Sequence, residues 1–284
     1  MSAPGSQMSV GGSDAITTPN VAHFAYTTPS DSSDGYEFSL IHYCAVASAL
    51  AYGQVDEVLI HTTTNPHGYW WRRATDLATT VHAVVPQKRF NSTFRHPAHK
   101  ADAIRLSVLE QHGGVFMDLD VLTLRALTPL LDTGRPVVGM EDAVAICPAV
   151  IITPPNAPFI SRWIDGYNPA TSEWSGFRSA GRDQYWGELS TRYPIHLATA
   201  YPTEVMVLPP SAFYPVHWRR RSCARLHRDP AAGGLTPADL AQSYTLHLWQ
   251  TGQRIDALNQ LTVEQAQTKA TTLLELLAPL LEMR

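Results

Sequence analysis

Asp118 and Asp120 stand two residues apart in the run Val115-Phe116-Met117-Asp118-Leu119-Asp120. If 115–120 is an extended strand, both carboxylates project from the same face. Side by side they repel each other unless a cation or donor hydrogens intervene. Hard carboxylate oxygens suit Mg2+ or Mn2+, ions that are commonly shared between one or two carboxylates and the phosphates of a substrate. Such an ion neutralises the charge that develops on a leaving diphosphate. An Asp-x-Asp alone specifies little, but Asp102 and Arg105 lie just upstream, three apart and so neighbours on one helical face. They are either a local surface ion pair or part of the same site. Far downstream, His247 and Trp249 have the same two-residue spacing in Tyr244-Thr245-Leu246-His247-Leu248-Trp249.

The elements that must position these residues can be read from the pattern. The segment 101–112 reads as a helix stopped by Gly113-Gly114, and 115–120 follows as a strand. Further strands are expected at 21–26, 58–61, 81–85, 136–140, 149–153, 205–208 and 245–248, with a helix at 40–52. This alternation implies an α/β architecture with a mixed, mostly parallel sheet flanked by helices. Ligands of such sheets bind in the crevice at the strand ends, where Asp118 and Asp120 fall. The Pro-, Gly-, Ser- and Arg-rich stretches 168–179 and 215–234 read as long loops of the kind that serve as lids or substrate-binding segments. Thr262 and Gln265 form a capping-box signal for a helix over 262–277, which either packs on the body or makes a dimer contact. There is no internal repeat.

Composition narrows the class. The chain has 284 residues, 44 % of them apolar, enough for a sizeable core. A charged fraction of 16 % and a net charge of −4 argue against a nucleic-acid partner. Cys44, Cys147 and Cys223 are odd in number, widely spaced and free of CxxC pairs, so buried thiols in a reducing compartment are expected. No apolar run of about 18 residues is present, so no membrane span is expected. Residues 1–19 read as a flexible tail without signal-peptide character, and the expected location is cytoplasmic.

The run His99-Lys100-Ala101-Asp102-Ala103-Ile104-Arg105 followed by Gly113-Gly114-Val115-Phe116-Met117-Asp118-Leu119-Asp120 resembles the DXD-containing sugar-binding region of glycosyltransferases. Fungal initiation mannosyltransferases and α-1,4-N-acetylglucosaminyltransferases typify the group. The catalytic domain of the large clostridial glucosylating toxins is similar. The resemblance extends over residues 20–250 and is most specific over 99–125. It implies a single GT-A-type, Rossmann-like domain over 20–284. It also implies transfer of a hexose from a UDP- or GDP-sugar to a hydroxyl acceptor, a saccharide or small molecule, with retention of configuration. By the same resemblance Mn2+ or Mg2+ would be held by Asp118, Asp120 and His247, with Asp118 also on the ribose. Asp102 and Arg105 would contact the transferred sugar, and the Trp249 indole N–H a phosphate. The first strand, Val21-Ala22-His23-Phe24-Ala25-Tyr26, would bring Phe24 and Tyr26 to the nucleotide, Tyr26 stacking on its base.

Two departures stand out. Cys147-Pro148 occupies the place where an asparagine commonly precedes the apolar strand, and the membrane anchor of long fungal and animal members has no counterpart here. His42 and His67, in segments that also resemble bacterial members, are expected to be structural. Arg219-Arg220-Arg221, with Arg225 and Arg228, reads as a solvated face or an anion site. Trp174, Tyr185, Trp186 and Trp218 read as core or as an acceptor platform. Asp118-Leu119-Asp120-Val121-Leu122 also resembles the nucleophile motif of dehalogenase-like phosphatases, in which Asp118 would attack phosphate. A nucleotide-sugar-binding protein without catalysis is the third reading.

Overall fold

The computed structural model describes residues 17–28, 35–85, 97–168, 185–249 and 260–283. The tail through residue 16, most of the 168–179 stretch and Trp174 lie outside the described residues. Nine strands are described: β1 Val21–Tyr26, β2 Glu57–Thr62, β3 Thr79–His82, β4 Gly114–Met117, β5 Val121–Thr123, β6 Val137–Asp142, β7 Ala145–Thr153, β8 Met206–Leu208 and β9 Thr245–His247. Seven of them form one sheet in the order β3-β2-β1-β4-β7-β6-β8, and β5 pairs with β9 in a separate ribbon. Within the large sheet only β7 runs against its neighbours, so the sheet is mixed and mostly parallel, as expected.

Helices cover both faces. Helix α1, Leu40–Ala51, starts at Ser39, whose hydroxyl caps the His42 N–H while the His42 ring accepts from the Ser39 N–H. His42 is thus a cap, a structural role. Helix α2 is Tyr69–Thr75, α3 is Pro97–His112, α4 is Thr128–Leu131, α5 is Pro158–Asp165 and α6 is Tyr193–Ala200. The alternation within β4 divides the core. Val115 and Met117 join the layer that includes α1 and the C-terminal segment, while Phe116 joins the layer of α3, α5 and α6. Gly113 and Gly114 end α3 with φ of 66° and 99°, the left-handed conformation that glycine tolerates. A Cβ on Gly114 would sit 2.7 Å from the Val21 carbonyl oxygen. The Gly-Gly pair therefore lets β4 pass tightly against β1.

The C-terminal segment differs from the continuous helix expected over 262–277. The Thr262–Gln265 capping box is present, but the helix stops after Gln267. Lys269 has φ of 51°, and a second short helix covers Thr272–Leu277. Ala266, Leu273 and Leu277 still reach the core, and the Tyr43 hydroxyl donates to the Leu280 carbonyl at 3.3 Å. No helix among the described residues is long and apolar enough to cross a membrane.

Candidate active site

The first strand departure is at Asp118 itself. β4 ends at Met117, and Asp118-Leu119-Asp120-Val121 is a turn in which the Val121 N–H donates to the Asp118 carbonyl at 3.0 Å. The two carboxylates therefore converge by chain reversal and not by strand alternation. The turn hands the chain to β5, whose Val121 pairs with His247 of β9. The Leu248 N–H donates to the Asp120 carbonyl at 2.9 Å, and His247 Nε2 lies 3.1 Å from Asp120 Oδ1. A ribbon of two three-residue strands thus carries a histidine 127 positions away onto the aspartate. One ligand atom each from Asp118, Asp120 and His247 lie within 4.8 Å of one another, the one such His/Cys/Asp/Glu grouping among the described residues. Two carboxylate oxygens and an imidazole nitrogen are together a donor set able to hold a divalent cation.

Burial opposes charge on the His247 ring, yet the Asp120 carboxylate beside it, aided by the Cys147 thiol, raises its pKa well above the ordinary histidine value. Without a cation, a proton on this ring balances Asp120.

On the other side of the turn, Arg105 of α3 donates from Nη1 to Asp102 Oδ1 at 2.6 Å and from Nη2 to Asp118 Oδ1. Its guanidinium lies 4.9 Å from the centre of the Phe116 ring, a cation–π contact. The side chains of Asp102 and Arg105 are 5 % and 3 % exposed, so this is a buried charge cluster and not the solvated surface pair. Burial pushes the Asp102 carboxyl up to about 6 despite the adjacent Arg105.

Both clusters line one cavity of about 780 Å3, within the range of small-molecule sites. Trp186 and Trp218 line it too, Trp218 with 45 % of its surface exposed, whereas Tyr185 does not. Arg219, Arg220 and Arg221 are exposed, and Arg225 pairs with Asp239 at 2.8 Å.

Phe24 and Tyr26 are not at the cavity. Phe24 is fully buried in the core. Tyr26 is 2 % exposed, its hydroxyl donates to the Tyr36 carbonyl at 2.6 Å, and its ring packs among Tyr36, Phe38 and His42. A base stacked on Tyr26 would need a face that these side chains already cover. Trp249 does line the cavity, but its indole N–H donates to the Val216 carbonyl at 2.5 Å and is not free for a phosphate. β9 ends before it, and Trp249 has φ of 52°, a strained conformation for a bulky residue. The ring packs 4.0 Å from that of His247. Trp249 thus shapes the wall behind His247.

Three cavity residues carry chemistry that the sequence patterns did not assign to the site: Glu141, Cys147 and Ser190. Glu141 sits at an irregularity between Met140 and Asp142 of β6, a device that re-aims side chains at sheet ends. Burial, with Asp142 nearby, raises its pKa. Cys147 precedes Pro148, which cannot donate to the ladder, and a bulge follows: Val138 pairs with Ile151 but Gly139 with Cys147. The Tyr214 hydroxyl closes the gap by donating to the Cys147 carbonyl at 2.9 Å and accepting the Val150 N–H at 3.0 Å. All three cysteines are buried, and none forms a disulfide.

Residues 39–137 match the family model described as "Glycosyltransferase sugar-binding region containing DXD motif". The matched stretch holds Asp102, Arg105, Asp118 and Asp120. The chain is 27 % identical over 252 residues to glucan organizing enzyme 1 of Cryptococcus neoformans var. grubii, covering 83 % of this chain and 63 % of that protein. It is 35 % identical over 75 residues to an uncharacterized protein of Arabidopsis thaliana, 25 % of this chain and 11 % of the other. The chain therefore spans less than two thirds of the curated relatives it matches. Among solved structures, the glycosyltransferase GlyE of Streptococcus pneumoniae TIGR4 superposes with a TM-score of 0.53 at 13 % identity, over 94 % of this chain and 61 % of that one. The architecture is the GT-A glycosyltransferase fold.

Proposed function

We propose that the chain transfers a hexose from a nucleoside-diphosphate sugar, a UDP- or GDP-sugar, to the hydroxyl of a saccharide or small molecule. The observation that carries this reading is the convergence of Asp118, Asp120 and His247 at a cavity also walled by Asp102 and Arg105. Asp118, Asp120 and His247 hold a divalent cation, Mn2+ or Mg2+, which when bound supplies positive charge to the leaving diphosphate. Metal ligation requires His247 to give up its proton. Arg105 holds Asp118 and Asp102 in place, and Asp102 accepts from hydroxyls of the transferred sugar. The bond between the anomeric carbon and the phosphate oxygen breaks, and the acceptor oxygen bonds to that carbon on the same face. The acceptor's proton passes to a phosphate oxygen, so retention needs no separate general base.

A phosphatase reading lacks support, because Asp118 is engaged by Arg105 and no second acidic metal cluster exists among the described residues. The test is incubation with UDP- and GDP-hexoses and Mn2+, following release of the nucleoside diphosphate. Release that stops in EDTA and in Asp120→Asn supports the proposal. Binding without release or transfer would favour a carrier of nucleotide sugars, and full turnover in EDTA would refute the metal's role.

A further inference from the structure

The corner formed by Asp102 and Arg105 is buried but not satisfied. Asp102 Oδ2 and Arg105 Nε have no hydrogen-bond partner at ordinary length, and neither does Ser190 Oγ, on a residue with no exposed surface. All three residues line the cavity. A buried polar group left unpaired is costly, and native chains rarely keep one without a use.

The backbone around Ser190 is also unusual. Glu188–Arg192 is a π-helical turn that runs directly into α6. Pro194 supplies the cause: it has no N–H to donate to the carbonyl of Ser190, four residues earlier, so the ordinary α-helical bond cannot form there. The widened turn is pinned by the Ser190 N–H donating to the Trp186 carbonyl at 3.0 Å and by the Thr191 hydroxyl donating to the Gly187 carbonyl at 2.8 Å. Ser190 faces Asp102 closely enough for its hydroxyl to be among the groups that stabilise the carboxylate, though the contact is longer than an ordinary hydrogen bond.

We infer that Ser190 is a specificity-determining residue that forms, with Asp102 Oδ2, a recognition pair for two neighbouring hydroxyls of the transferred sugar. The inference rests on the nucleotide-sugar reading above and adds to it a residue and a substrate class. The class is a hexopyranose with adjacent free hydroxyls, in preference to its deoxy analogues. A hydroxyl satisfies an acceptor and a donor at once, which is what a carboxylate oxygen and a serine side by side demand. A sugar lacking that hydroxyl would leave the buried pair unpaired, and sites of this type discriminate strongly against such analogues.

The experiment is calorimetric titration of the wild type and Ser190→Ala, with Mn2+ present, using UDP, UDP-glucose, UDP-galactose, GDP and GDP-mannose. For the best-bound sugar, its singly deoxygenated analogues follow. The expected result is that Ser190→Ala binds the parent nucleoside diphosphate within about twofold of wild type. The extra affinity contributed by the sugar should fall by about 2–13-fold, the range of one hydrogen bond's net worth. At least one deoxy analogue that binds poorly to wild type should lose nothing further in the variant. Equal weakening of nucleotide and nucleotide sugar, or deoxy penalties that persist in full, would overturn the recognition role and leave the transferase reading standing. If no nucleoside diphosphate binds the wild type, the transferase reading fails and the inference with it. Ser190→Cys, close in volume but a weak donor, gives the same comparison if the alanine variant does not fold.

Discussion

Asp118 and Asp120 occupy one turn, yet the protein neutralises them by different means. Asp118 is held by Arg105, a permanent cation locked between two carboxylates under a phenyl ring. Asp120 is held by His247, whose charge is a proton that a metal can displace. The arginine side is a fixed scaffold and the histidine side an exchangeable one. Under the proposed function, a site built this way would keep its shape without a cation and would change its charge on binding one.

Substitutions can break this comparison. The largest expected effect is on turnover: Asp120→Ala should lower transfer by about 100-fold or more, the scale of losing one electrostatic stabiliser of developing charge. Its thermal midpoint should stay near that of the wild type, since His247 can shed its proton. Arg105→Ala should behave in the opposite way. It leaves a buried carboxylate uncompensated and should destabilise the fold by about 3–5 kcal/mol, measured by denaturant unfolding. If Arg105→Ala unfolds no earlier than Asp120→Ala, the distinction between scaffold and exchangeable side is wrong.

A control region lies away from the site. His23 and His61 are buried on adjacent strands, Nδ1 to Nε2 at 3.1 Å. Burial, followed by the neighbouring histidines, lowers His23 from 6.5 to about 3, and burial and His112 lower His61 to about 4. Their folded pKa values lie below the unfolded value, so the unfolded chain takes up protons first as pH falls. Stability is then full above pH 6.5 and declines toward pH 4, by on the order of 1.4 kcal/mol per pH unit for each ring. Unfolding free energies measured between pH 7 and 4 test this, and His61→Asn should flatten the slope. The smallest effect is expected at Trp249. Because its N–H is committed to Val216, Trp249→Phe should change nucleoside diphosphate affinity by less than about threefold while costing about 0.5–1.5 kcal/mol of stability.

Local pattern made one half of the site legible. Helix α3, the glycine stop and the aspartates lie within 24 residues, where helical and extended spacing apply directly. The strand order was accessible only as a class, since β7's reversal leaves no mark in composition. Period-two reasoning failed where the strand had already ended, at Asp118 and again at Trp249. The resemblance put Phe24 and Tyr26 at the nucleotide, but a stacking platform and a core side chain have the same residue chemistry until neighbours such as Phe38 are placed. Ser190 was invisible for a related reason. Its aim depends on a widened helical turn forced by Pro194, and the neighbour that gives it meaning, Asp102, lies 88 positions away.

The central claim, that His247 joins Asp118 and Asp120 around a cation, is tested most directly by Mn2+ binding followed through the electron paramagnetic resonance signal of the free ion, with UDP or GDP present. Wild type should deplete the free-ion signal at one site per chain, and His247→Ala should need at least about tenfold more Mn2+, with circular dichroism showing both proteins folded without metal. Identical Mn2+ titration curves for the two proteins would contradict the assignment.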